Sequence, residues 1–458
     1  MSELKTYNIA FPKFRVSGQV LHPRLGKKSQ QTVCYVDEDL LTLSFRAASQ
    51  LVAADCEPDA VLFATSSPVF QSRYHASFLT DLLGLKQGIL ALDVISTARA
   101  GTDALLLADK LVNSGQYNTI LLIAAHVDFP PAGLEYQHSF GHAAVAMIIS
   151  KDKGLAEINS SESYSSSLAE EFVYKGVKTN YDARFSRSAG FMTNMTDAWK
   201  NTDPKPDQIQ HLIINSPYAR MALGMVKKSG FDTDKQLLKD SIMPVAGHTG
   251  ACHGFLQMIS AIENCKGSAL LFDYQNGTNV IGFSIHKNPD ESKLSRLHFT
   301  DISCYQDYLA LRKQGDFKDD AYQPQEMFSS EMMMEREKDQ LMYLNGQECT
   351  SCHAVYLIKT IRCHHCKGTD FTVKKLATTG TVYTLTAEHY FPASFPPVHM
   401  VVIDLDGGGR ITVQQTDNMY HDDENRLNIG DRVELVYRSM MENDKKPNYF
   451  WKCVKLAQ

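Results

Sequence analysis

The sequence predicts an α/β chain that ends in a metal-binding ribbon and a small β-barrel. Three observations predict it. Predominantly apolar strand-like runs (Val61–Ser66, Thr119–Ala125, Gly141–Ile149) alternate with helical segments, as in a sheet covered on both faces. Four cysteines, Cys349, Cys352, Cys363 and Cys366, form two Cys-x2-Cys pairs. Beyond them, five short strand-like segments fill about 80 residues, the pattern of a barrel of OB type.

With 458 residues, 43% apolar and 21% charged, the chain has material for two or three ordinary globular domains. A formal charge of -6 supplies no global field for nucleic acid or an anionic membrane. The N-terminus has no apolar export segment and no run approaches a spanning length, so a soluble, cytoplasmic protein is expected. The remaining cysteines are scattered, which suits a reducing compartment with one metal site better than a disulfide framework.

In chain order, residues 5–20 read as an edge strand and a turn. Asp37–Val52 places acidic residues ahead of apolar ones at helical spacing, an amphipathic helix. Val61–Ser66 is a strand and Tyr74–Leu83 a helix closing at Gly84. Leu90–Ile95 runs through a small-residue turn into an Ala/Leu-rich helix ending near Ser114, a strand-to-helix elbow. Strands follow at Thr119–Ala125 and Gly141–Ile149. A second series comprises Leu155–Ser163, helix Met192–Lys200, strand His211–Ile214, helices Ala219–Ser229 and Gly254–Asn264, and strands Ser268–Tyr274 and Asn279–His286. Residues 288–345 are charged and Met-rich, a linker in which Tyr305–Gln314 and Glu326–Leu341 are candidate helices. The barrel strands are Gly380–Thr386, Val398–Asp404, Arg410–Gln414, Arg432–Tyr437 and Tyr449–Val454.

The elbow favours chemistry at its tip, because the free N–H groups and positive end of the following helix stabilise an anion and lower a thiol pKa. The nucleophile position is Ala98. The stretch Asp93-Val-Ile-Ser-Thr-Ala-Arg-Ala-Gly-Thr-Asp-Ala resembles the elbow of the thiolase superfamily, most closely that of 3-hydroxy-3-methylglutaryl-CoA synthases and ketoacyl synthases III. Asp93, Val94, Gly101, Thr102 and Ala104 match, while Ala98 stands at the cysteine. The resemblance implies a duplicated thiolase-like fold, layered α-β-α-β-α, over residues 1–287. In the same register Ser66 stands at the synthases' glutamate acid/base and Asn215, in Ile214-Asn-Ser-Pro-Tyr-Ala-Arg220, at their histidine. Ala246-Gly-His-Thr-Gly resembles the Gly-His motif of thiolases, so Asn215 and His248 are the candidate oxyanion pair. The opposing reading of His248 is a buried histidine in a glycine turn. His126 and His142 lie near predicted strand ends and Tyr218 is the nearby phenol, each with a packing role as its bland alternative, while Cys252 is too displaced from the elbow to be its nucleophile and reads as a small core residue.

The two Cys-x2-Cys knuckles place four thiolates around one tetrahedral ion with no open position, a structural zinc site; iron in a rubredoxin-like site uses the same ligands. The nearby His353, His364 and His365 read as solvated neighbours. Residues 346–370 (ribbon) and 371–458 (OB-fold) together resemble the zinc-ribbon/OB domain that accompanies thiolases, which implies a part in forming a CoA channel. A nucleic-acid groove is disfavoured, because residues 346–458 hold 13 Lys/Arg against 13 Asp/Glu.

Serine, asparagine and alanine cannot replace a carboxylate, an imidazole and a thiolate in the same chemistry. The resemblance therefore implies a non-nucleophilic, pseudoenzyme-like subunit of an acyl-CoA-dependent carbon-carbon acyltransferase. A thiolase-like catalytic subunit, or the chain itself as a dimer, would be the partner, a coenzyme A thioester the substrate, and zinc structural. The alternative is a cysteine-free condensing enzyme or retro-aldol lyase using Asn215 and His248, with Tyr218 or His142 moving the proton. Neither nucleic acid nor membrane is an expected partner.

Overall fold

The computed structural model describes all residues except 27–28, 53–56, 136–137, 169, 175–176, 181, 313–334, 392, 421–423, 444–445 and 457–458, and except the side chains of 177–178, 441–443 and 446–448. The chain forms two compact units. One comprises Met1–Val33 and Leu43–Ile302, the other Cys34–Thr42 and Ser303–Gln458.

The first unit runs β1 (Ser2–Ala10), β2 (Phe14–Ser17), α1 (Gly18–Leu21), β3 (Gln30–Val33), α2 (Leu40–Val52), β4 (Ala60–Thr65), α3 (His75–Leu82), β5 (Leu90–Ile95), α4 (Ala100–Ser114), β6 (Thr119–His126) and β7 (Ala143–Ser150). The second series follows as β8 (Ala156–Ser165), the hairpin β9 (Glu171–Tyr174) and β10 (Val177–Asn180), α5 (Ala183–Phe185), α6 (Thr193–Thr202), β11 (His211–Asn215), α7 (Ala219–Lys228), α8 (Met243–Ala246), α9 (His253–Asn264), β12 (Gly267–Tyr274), β13 (Gly277–Ile285) and β14 (Thr300–Ile302). A π-helical turn, Ser186–Met192, leads into α6.

Both series share one nine-stranded sheet, ordered β11-β12-β13-β8-β1-β7-β6-β4-β5. Its middle rests on only three residue pairs between β1 and β8, Ser2 to Leu4 against Ile158 to Ala156. Helix α4 packs on β4 to β7 and β1, and also on β8 and β13 from the second series. Its buried face, Ala104, Leu105, Ala108 and Val112, joins the main core with Phe255, Leu256 and Ile259 of α9. Burying that face, at roughly 25 cal/mol per Å² of apolar surface, is the principal force that holds the elbow in place.

One expectation is corrected. The first strand is central, paired with both β7 and β8, and not an edge. Its polar residues suggest solvent but find partners within the unit: Ser2 Oγ donates to Asp109 (2.7 Å), Asn8 donates to Ala47 O (3.0 Å) and Tyr7 OH donates to Glu263 (2.6 Å). The true edge beside the elbow is β5, which ends the sheet order, pairs among the described strands with β4 alone, and is partly exposed along Leu90–Val94 and exposed at Ile95.

In the second unit, α10 (Tyr305–Leu311) matches the described part of the first linker helix. Of the second, Glu326–Leu341, residues 326–334 lie outside the described residues, and a short helix, α11 (Lys338–Leu341), forms its end. The ribbon is a three-stranded sheet of β15 (Asn345–Cys349), β16 (Val355–Tyr356) and β17 (Phe371–Lys375), with β15 in the middle. Then β18 (Thr379–Glu388), β19 (Val398–Leu405), β20 (Arg410–Gln414), β21 (Arg432–Asn443) and β22 (Lys446–Lys455) pair in the order β20-β19-β18-β21-β22. A bridge between Gln415 and Cys453, with Thr416 N donating to Cys453 O (2.9 Å), brings the two edges together and nearly closes the barrel. Val401, Ile403, Val433, Leu435 and Trp451 fill it.

Candidate active site and candidate metal centre

Three parallel strands, β5, β4 and β6, end side by side, and the candidate site lies at those ends. Ser96 N donates to Thr65 O (3.2 Å), which ties the elbow to the end of β4. Asp93 fixes the approach, because its carboxylate accepts from His75 N, Ala76 N and His75 Nδ1 at 2.7–2.8 Å and so caps α3. The matched aspartate thus has a structural task. Partly buried, Ala98 occupies the turn that opens α4.

Gly101 is required at the elbow, since a Cβ there would lie 2.2 Å from Ala251 O. That close approach seats the turn Gly250–Cys252 on α4. Cys252 follows, but its buried Sγ donates to Ala143 O (3.3 Å) and burial pushes the thiol well up. It supplies no nucleophile to the elbow.

Three imidazoles gather here. Ser66 Oγ, at the expected acid/base position, lies 3.2 Å from His126 Nδ1, and Ser67 Oγ lies 3.4 Å from the same nitrogen. The His126 ring packs against Gly250, which has φ +49° and whose hypothetical Cβ would fall 2.2 Å from Nδ1. Only glycine fits there. His248 Nδ1 accepts from Gly250 N (3.2 Å), so its proton is on Nε2. Burial, with the neighbouring charges of His253 and His126, holds His248 well below the usual imidazole range, so it is neutral.

His248 stacks on His253, with ring centroids 4.4 Å apart and planes 18° from parallel. Buried, His253 accepts from Thr249 N at Nδ1 (3.2 Å) and donates from Nε2 to Asp240 (2.8 Å). Although burial pushes Asp240 up, the His253 hydrogen bond wins and holds it well below the carboxylate range. The turn is therefore rigidly oriented from behind.

Asn215 is elsewhere engaged. Its amide donates to Asp273 Oδ1 (2.8 Å), and Thr102 Oγ1 donates to Asp273 Oδ2 (2.5 Å). Asn279 donates to Thr102 (2.9 Å) and Asp103 (2.7 Å). Burial raises the Asp273 carboxyl to about 6 against these hydrogen bonds. This network ties β11, β12 and β13 to α4, and Asn215 and His248 share no hydrogen bond. Sequence reasoning missed Asp273, Asn279 and the His253–Asp240 pair. Single polar residues in apolar strands and helices carried no signal.

Tyr218 OH donates to Glu170 (3.1 Å), as does Tyr274 OH. Burial, then the Glu170 charge, pushes the Tyr218 phenol up to about 12, and burial raises Glu170 as well. His142 is buried, with Nε2 3.0 Å from Asp128 O and its ring edge-on to Phe129. Both residues sit in packed surroundings.

In the ribbon, the Sγ atoms of Cys349, Cys352, Cys363 and Cys366 lie within 4.8 Å of one another, with closest pairs at 3.5 Å (Cys349–Cys366) and 3.4 Å (Cys352–Cys363). Tetrahedral zinc with Zn–S near 2.3 Å needs sulfurs about 3.8 Å apart, so this donor set is compatible with the ion. His353 Nδ1 pairs with Glu348 (3.0 Å), and the His364 ring lies 5.6 Å from that of Tyr356. The four thiolates need no imidazole to complete the set.

Comparison with known proteins agrees with these two halves. A family model described as "ChsH2, C-terminal OB-fold domain" matches residues 373–438. The hydroxymethylglutaryl-CoA synthase of Methanobrevibacter smithii is 25% identical over 275 residues, 57% of this chain and 79% of that protein. The crystal structure of an HMG-CoA synthase complexed with CoA superposes with a TM-score of 0.58 at 17% identity, covering 66% of this chain and 88% of the other. The 3-oxoacyl-[acyl-carrier-protein] synthase III from Aquifex aeolicus VF5 gives 0.53 at 15% identity, covering 62% and 100%. The first unit therefore has the thiolase-like α/β fold, similar in sequence to hydroxymethylglutaryl-CoA synthases, and the chain joins it to a C-terminal OB-fold domain.

Proposed function

We propose that the chain is the non-nucleophilic subunit of an acyl-CoA-dependent acyltransferase complex that makes or breaks carbon-carbon bonds. The observation that carries this reading is the elbow itself. Its cap at Asp93, its close packing at Gly101 and its helix are all kept, while Ala98 offers no group that could carry an acyl chain. The thiolate then comes from a second thiolase-like chain. The partly exposed edge strand Leu90–Ile95 is the surface to which such a chain would add. CoA thioester is the substrate, the OB-fold domain contributes to CoA binding, and the four ribbon cysteines hold one structural zinc.

Ala98→Cys tests the reading. The new thiol, at the start of a 15-residue helix, should react readily with alkylating agents. It should not produce hydroxymethylglutaryl-CoA, because Ser66 brings no carboxylate and Asn215, tied to Asp273, brings no imidazole. Substantial product from this one substitution contradicts the assignment of these positions.

A second reading, a cysteine-free condensing enzyme or retro-aldol lyase, draws on His248. A neutral imidazole with its proton on Nε2 can donate to a thioester or enolate oxygen without a covalent intermediate. Asn215 acts in this reading by positioning, through Asp273 and Thr102. Loss of carbon-carbon cleavage in purified single-chain protein on His248→Ala would favour it.

A further inference from the structure

Two carboxylates face each other where the halves of the nine-stranded sheet are joined most narrowly. Glu3 of β1 stands directly opposite Glu157 of β8, in one of the three residue pairs between these strands. Like charges in directly opposed positions repel, so this pairing weakens the seam unless a cation comes between them. The neighbouring lysines are engaged elsewhere: Lys5 pairs with Asp152 (3.0 Å) and Lys287 with Asp290 (3.1 Å). His286, which directly follows β13, reaches both carboxylates. Its Nε2 lies 3.6 Å from Glu3 Oε1 and 3.8 Å from Glu157 Oε2, too far for a hydrogen bond to either. Three ligand atoms from three strands or strand ends thus lie within 4.8 Å of one another. Gly154 N donates to the other Glu3 oxygen, Oε2 (3.1 Å), and His286 N donates to Leu155 O (2.9 Å), so one loop holds both residues from behind.

We propose that Glu3, Glu157 and His286 bind one divalent transition-metal ion, zinc in the first place, as a clasp across the seam between β1 and β8. Zn–N and Zn–O bonds near 2.1 Å place tetrahedral ligand atoms about 3.4 Å apart. His286 and each carboxylate therefore need to close by only a few tenths of an ångström. An imidazole beside two carboxylates selects such an ion over Mg2+ or Ca2+, which take oxygen ligands. The site is remote from the elbow, since Glu3 also lies opposite Ser150, which pairs with Thr119 at the start of β6, whereas the elbow lies at the far ends of its strands. Its role is structural, with solvent as the fourth ligand. Three protein ligands bind more weakly than the closed four-thiolate set, so this site fills when zinc is added and empties on dialysis while the ribbon keeps its ion.

Isothermal titration calorimetry of ZnCl2 into the full chain, with the ribbon already loaded and excess metal dialysed away, tests the site. Wild-type protein should take up one further equivalent, and hydrogen exchange at Ser2–Leu4 and Ala156–Ile158 should slow as it does so. Glu157→Gln and His286→Ala should each lose that equivalent, while Asp290→Asn, which removes an exposed carboxylate paired with Lys287, should keep it. Glu157→Gln also removes the opposed like charges, so without added zinc it should melt no lower than wild type, and it carries the test if His286→Ala does not fold. No further equivalent in the wild type, or one that survives Glu157→Gln, overturns the site. Uptake that leaves exchange across the seam unchanged overturns the clasp.

Discussion

Cys363→Ser, or removal of the metal by a strong chelator, is expected to unfold residues 345–375 while the first unit stays folded. The ribbon's three strands are two to five residues long, too small to bury a core of their own. Their fold depends on the knuckles, where Cys349 and Cys363 are buried and Cys352 and Cys366 are exposed. A structural zinc in such a setting supplies about 10–16 kcal/mol, and binding energy and folding energy are then one quantity. Metal analysis should find about one zinc per chain, and hydrogen exchange should show the ribbon's protection vanish with the ion. Substantially less than one equivalent of metal in protein with a fully protected ribbon contradicts the assignment.

The second large effect concerns Arg438, whose side chain is 1% exposed. Its guanidinium meets Glu38 at 2.8 Å, Asp417 at 2.9 Å and Asp37 at 3.4 Å. Lys452 reaches Asp37 at 2.7 Å and Thr416 donates to it at 2.8 Å. Arg438→Met leaves buried carboxylates with one cation among them, and breaking a buried pair from one side costs about 3–5 kcal/mol. Denaturant titration of the second unit's transition should register that loss. Arg410→Met is the control: its bond to Asp404 (2.6 Å) joins half-exposed groups, so it should cost under about 1 kcal/mol. Equal effects of the two substitutions would show that burial does not govern this network.

The same residues show what was legible beforehand. The runs at 60–65, 119–126 and 143–150 are strands because continuous apolar sequence must be covered on both faces, and their class could be read directly. Asp37 and Glu38 could not. They look like the acidic first turn of a helix, yet the helix begins at Leu40 behind the capping Asp39, whose carboxylate accepts from Leu41 N and Thr42 N. Both acids are instead the partners of an arginine some 400 residues away, which local pattern cannot reveal. The elbow and the gathering of the four cysteines were legible, because a close backbone approach and two Cys-x2-Cys pairs each put particular residues at fixed spacing. The setting of His126 was not, since it depends on serines just past the end of β4 and a glycine from a distant turn.

The central claim is that the elbow's thiolate comes from another chain. Native mass spectrometry of protein isolated from its own host, coupled to an acyl-CoA condensation and cleavage assay, tests it most directly. The account predicts a stoichiometric second thiolase-like subunit with cysteine at its own elbow, and acyl transfer only when both chains are present. A homo-oligomer that performs the same acyl transfer without such a subunit would contradict it.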